Sequence, residues 1–129
     1  GSGKHQQYFA HIKFYNTPFN FDFKIGKEHL FSKAGKLLGM KDIEMGDATF
    51  DKRFLLKSKS ENEFRDLMTY DIQGELTRLD SDLKSSIHCN DGVLSYTVTG
   101  GLPKEASFRS AENVIDFMIK LMKKDSRRR

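Results

Sequence analysis

Several things are scarce in this chain of 129 residues, and each scarcity excludes something. A single cysteine, Cys89, excludes an internal disulfide, so the chain is not a disulfide-stapled secreted domain and a reducing compartment is expected. No apolar run approaches the ~18–20 residues that cross a bilayer, and no signal-peptide pattern is present. Tryptophan is absent and there are two prolines. Neither an internal repeat nor a low-complexity segment interrupts the chain. Gly1-Ser2-Gly3 reads as a cloning scar. On that reading the chain is a piece of a longer protein, and the missing span says nothing about the remainder.

What is present fits one α+β domain over residues 4–125, followed by a basic tail at 126–129. Eleven phenylalanines concentrate in strand-like segments, which suggests a sheet covered by helices. The formal charge of +4 is unevenly spread. Residues 1–40 hold six basic against two acidic side chains, residues 41–82 seven against eleven, and residues 83–129 nine against five. An acidic middle between basic ends makes a fold self-complementary, so a pI near 9.2 argues only weakly for a polyanion partner.

Periodicity then places the elements. Ala10, Ile12 and Phe14 alternate with His11 and Lys13, and after a turn at Asn16-Thr17-Pro18 the set Phe19, Phe21, Phe23 and Ile25 alternates with Asn20, Asp22 and Lys24. These two segments are expected to form a hairpin. Residues 28–38 suit a short helix stopped at Gly39. Residues 41–49 read as an irregular acidic connection into a strand running through Phe54 and Leu56. Ser60 and Glu63 have the spacing of a capping box. Beyond it Phe64, Leu67, Met68, Ile72, Leu76 and Leu79 form one helical stripe, expected to bend or break near residues 69–71, with Gly74 weakening it further. Asn90-Asp91-Gly92 between two alternating runs signals a hairpin. Ser110 is the expected cap of a last helix whose inner stripe is Val114, Phe117, Met118, Leu121 and Met122.

The candidate chemistry is sparse. Asp42, Glu44, Asp47 and Asp51 are the metal candidates, because hard cations want several carboxylates near a sharp glycine turn. Aligned to a calcium loop from Asp42, however, Gly46 falls one place early and Arg53 stands where a bidentate glutamate belongs. His88 and Cys89 are strand neighbours with opposite facing, so they cannot share a metal, and Cys89 has no adjacent base to activate it. Gly100-Gly101 lacks the residues that make a phosphate loop. Lys120, Lys123, Lys124, Arg127, Arg128 and Arg129 make a basic end for a nucleic acid or an anionic membrane, and Tyr8, His11, Lys13 and Tyr15 are a candidate stacking face. No catalytic residue and no cofactor is expected.

The block Gly46-Asp47-Ala48-Thr49-Phe50-Asp51-Lys52-Arg53-Phe54-Leu55-Leu56-Lys57-Ser58, followed by capped helices, resembles soluble domains of uncharacterised bacterial proteins. Many of those domains sit beside membrane-spanning helices. The resemblance implies a bacterial origin and a membrane-associated parent, and it carries no functional residue.

The expected architecture is therefore α+β. A roughly five-stranded, mostly antiparallel sheet is packed on one face by two long helical regions and one short helix. Its core is Phe19, Phe21, Phe23, Phe54, Phe64, Leu67, Leu76, Val98, Phe117 and Leu121, with Phe50 plugging the sheet edge and Asp51 satisfying neighbouring amides. The expected function is non-enzymatic binding of a protein partner, through an open sheet edge or the wet face of the first hairpin, on the cytoplasmic side and associated with a membrane through the parent. The alternatives are a small-ligand or enzymatic pocket between sheet and helices, which would need a cavity of ~300 Å³ with convergent polar groups, and a nucleic-acid surface.

Overall fold

The computed structural model describes residues 8–27, 39–100 and 105–127. The helix expected over 28–38 lies outside the described residues, as do Gly101 and the ends Arg128 and Arg129.

The organising unit is the hairpin of β5 (Ile87–Asn90) and β6 (Val93–Gly100). Its two-residue turn has Asp91 at φ 53° and Gly92 at φ 77°, the left-handed pair that matches the twist of the flanking strands. Around it the sheet is completed by β1 (Tyr8–Phe14), β2 (Phe23–Gly26), β3 (Lys41–Asp42) and β4 (Leu55–Ser58), all antiparallel in the order β1-β6-β5-β2-β4-β3. The sheet thus has six strands, one more than expected.

The expected first hairpin does not form. β1 pairs with β6 along its whole length, and β2 lies two strands further on, between β5 and β4. Between them Asn16 takes a left-handed turn at φ 56°. Thr17 is tied to the Gly92 carbonyl by its amide at 3.2 Å and its hydroxyl at 2.8 Å. The chain is held at the end of the β5–β6 hairpin and crosses it. Alternation fixed which face each side chain takes, and that part holds. It carries no information about which strand lies alongside.

Register aligns the helix-side residues, buried or partly buried, in two rows across the sheet. Ile12, Tyr96, Ile87, Ile25 and Leu56 form one, and Phe14, Leu94, Cys89, Phe23 and Ser58 the other. The helices cover this face. They are α1 (Ala48–Arg53), α2 (Glu61–Leu67), α3 (Tyr70–Arg78) and α4 (Glu105–Arg127). Phe64 of α2 stacks at 5.3 Å from Phe23, and Ile72 and Leu76 of α3 and Val114, Phe117, Met118 and Leu121 of α4 join the same buried cluster. Of the expected core all are buried except Val98, which is half-buried near the β1 end.

Local chemistry explains where other expectations shift. The block at 49–53 is a helical turn, because the Asp47 carboxylate accepts from the Thr49 and Phe50 amides and starts α1; the strand begins only at Leu55. Ser60 is the N-cap of α2, but its hydroxyl donates to the Glu63 carboxylate at 2.7 Å and takes no backbone amide. The central stripe breaks where expected, between Leu67 and Tyr70, into two helices, and Gly74 sits within the second. Ser110 is not a cap: α4 starts at Glu105, and the Ser110 hydroxyl donates instead to Asp82 at 2.9 Å. The helix runs through Ser126 and Arg127.

Candidate functional site

The acidic candidates are separated by the fold. Asp42 is on the edge strand β3 and pairs with Lys57. Asp47 caps α1. Asp51, one turn along, accepts from the Met45 amide at 2.8 Å and the Gly46 amide at 3.0 Å, one with each carboxylate oxygen. Asp51 thereby pins the loop that precedes its own helix, which Gly46 enters at φ 90°. Among the described residues no group of three or more histidine, cysteine or acidic side chains is arranged to hold a metal.

Two of the six basic candidates are engaged by acids that sequence spacing does not reveal, and the side chains of Arg127, Arg128 and Arg129 lie outside the described residues. Lys120 reaches Glu75 at 3.0 Å and Lys124 reaches Asp71 at 3.2 Å, so α4 is cross-braced to α3. The Thr69 hydroxyl and Lys124 together hold the Asp71 carboxyl below the ordinary carboxylate range. Lys123 stays exposed.

A shallow groove of about 350 Å³ runs between α1 and α3, lined by Asp47, Arg53, Tyr70, Gln73, Gly74 and Thr77 among others. Its volume suits a small ligand, but its polar groups are turned to the protein itself. Asp47 caps α1, Gln73 donates to the Met68 carbonyl, Thr77 donates to the Gln73 carbonyl, and Arg53 faces Asp80 at 3.8 Å. The groove lies on the helical surface, whereas the space between sheet and helices is filled by one continuous cluster.

The remaining feature is the sheet face turned away from the helices. Register aligns Lys13, Ser95, His88, Lys24 and Lys57 in a single row across β1, β6, β5, β2 and β4, ending at Asp42 on β3. With strands ~4.8 Å apart, the row from Lys13 to Lys57 spans ~19 Å. His88 sits at its centre. Desolvation, then the neighbouring Lys24 ammonium, push the His88 imidazole below its ordinary value, while Asp22 pulls the other way. Partial burial also lowers Lys24. His11 lies in the adjoining position on β1, with Nδ1 3.1 Å from the Thr97 hydroxyl. The sequence reading found His11 and Lys13 on one face. Lys24 and Lys57 in the same row are not legible from the chain, because the row is built by long-range pairing: Lys24 lies 64 positions from its neighbour His88, and Lys13 lies 82 from Ser95. Cys89, on the opposite face from His88, is buried.

The outer edge of β1 lies at one margin of the sheet with seven residues, and β3 forms the other margin with two. Among the described residues no helix is long and apolar enough to cross a membrane. Compared with family models, with curated proteins and with solved structures, the chain matches none.

Proposed function

We propose that this is a non-enzymatic protein-interaction domain that takes a partner strand onto the outer edge of β1, and that it is the soluble, cytoplasmic-side part of a membrane-associated bacterial protein. The observation that carries the reading is the seven-residue edge strand, whose outer side has no partner strand among the described residues. Such an edge presents a row of backbone donors and acceptors, and strand addition is a recurring way to use them. The opposite margin is too short to serve in the same way. The filled core and the self-satisfied groove weigh against a pocket enzyme, and the engagement of Lys120 and Lys124 by α3 weighs against α4 as a nucleic-acid surface. The single buried thiol accords with a reducing compartment, and the block at Gly46–Ser58 supports the bacterial, membrane-associated parent.

A random-peptide display screen on the immobilised domain tests this, with amide hydrogen exchange as the readout. The expected result is enrichment of extended peptides that slow exchange along Tyr8–Phe14. A screen that enriches nothing, or peptides that protect the α1–α3 groove instead, sinks it.

A further inference from the structure

We infer that the strand taken up by β1 is an extended peptide of alternating chemistry, with acidic side chains on the helix-free face and small apolar side chains on the helix-covered face. This rests on the strand-addition reading above and specifies its partner.

Successive residues of an added strand point to opposite faces, so each face of β1 selects one half of the partner's side chains. On the helix-free face β1 offers His11 and Lys13, both exposed. No carboxylate pairs with Lys13 among the described residues, whereas Lys57 and Lys59 at the far side of the sheet face Asp42 and Asp22. The cationic end of the face is thus the β1 end. Lys24, in the same row as Lys13, adds positive potential behind it. A carboxylate on a partner strand beside Lys13 would complete the row in the way that Asp42 ends it at β3. On the other face Ile12 and Phe14 pack against the core and are only partly buried, and no further strand flanks them among the described residues. A small β-branched side chain beside each extends the two buried rows by one strand.

Two other occupants fit less well. A second copy joined β1 to β1 would bring no carboxylate to Lys13, because β1 contains no acidic residue, and would add a second lysine to the same face. Single-stranded nucleic acid needs aromatic platforms for its bases. Of the large aromatics seen to be exposed, Tyr70 and Phe108 lie on helices and Tyr15 adjoins β1.

The test is fluorescence anisotropy on the purified domain with four labelled probes at low salt. These are a short peptide alternating glutamate and valine, one alternating lysine and valine, a peptide with the glutamates and valines in separate blocks, and oligothymidylate. The expected result is binding of the alternating glutamate–valine peptide alone, weakened by salt, with slower amide exchange in β1. Lys13→Glu is expected to weaken it about five- to tenfold, since it removes one favourable cross-strand charge pair and installs a repulsive one. Lys123→Glu makes the same charge change on the exposed side of α4 and is expected to leave binding unaltered. Equal binding of the lysine peptide or the block peptide overturns the inference, as does loss through Lys123→Glu equal to that through Lys13→Glu. Binding of oligothymidylate that Lys13→Glu abolishes overturns it in favour of a nucleic acid. If display peptides of another composition protect β1 while the glutamate–valine peptide does not bind, strand addition stands and this inference fails. If the peptide binds without protecting β1, both fail.

Discussion

Replacing Asp51 by alanine separates a structural carboxylate from a metal ligand, and the structure sets the size of the effect. Each oxygen of Asp51 accepts one backbone amide, from the part-buried Met45 and the exposed Gly46. Water can replace the bond to Gly46, so little is lost there. The bond to Met45 is charge-assisted and shielded, and such bonds contribute ~1.5–3 kcal/mol. Asp51 also stands in the first turn of α1, where an acid adds a few tenths of a kcal/mol more by facing the positive end of the helix. The expected loss is therefore ~2 kcal/mol. With ~2.1 cal/mol/K of unfolding entropy per residue, that is a fall in Tm of ~7 °C. Asp51→Asn keeps one carbonyl acceptor without the charge and should lose about half as much. Calorimetry and urea unfolding of the three proteins, each with and without added calcium, make the comparison. A loss under ~0.5 kcal/mol in Asp51→Ala would show that the amide clamp is not a stabilising feature. A calcium-dependent rise in Tm present in the parent and absent in Asp51→Ala would refute the structural reading outright.

Two further outcomes follow from single residues. Gly92 occupies the second turn position of the β5–β6 hairpin at φ 77°, where nothing crowds a Cβ, so Gly92→Ala isolates the backbone strain and should destabilise by ~1–2 kcal/mol in urea unfolding; an unchanged midpoint would mean that the turn is not the left-handed pair described. His88 binds its proton less readily in the folded protein than in the unfolded chain. Its contribution is therefore complete above the unfolded value of about 6.5 and is lost as the pH falls below it. His88→Gln should remove that part of the acid destabilisation, and identical pH–stability curves for the two proteins would contradict the partial burial of His88 beside Lys24.

The parts of this fold that were legible in the sequence are those set by neighbours along the chain. The facing of Ile12 and Phe14 against His11 and Lys13, the turn at Asp91-Gly92, the break between Leu67 and Tyr70 and the buried phenylalanines all follow from periods of two or of about three and a half, or from the φ tolerance of particular residues. The role of Asp51 towards nearby amides was legible for the same reason, since its partners lie five and six residues away. Local choices could still mislead where two local structures competed. Asp47 started a helix at Ala48 that takes in Phe50 and Asp51, expected at the strand entry, and Ser110 found Asp82 across space instead of capping α4.

Strand order was decided only by the tertiary structure. Alternation assigns a side chain to a face and leaves its lateral neighbour open, so the sequence could not tell a β1–β2 hairpin from the observed pairing of β1 with β6. The binding of Lys120 and Lys124 to acids of α3 and the single row from Lys13 to Lys57 depend on that assembly. Local patterning on this chain determined which residues are inside and which are wet. Which wet residues stand together, and so what the surface can bind, was fixed by long-range pairing, because charge acts through space and the chain spacing of Lys13 and Lys57 says nothing of their place in one row.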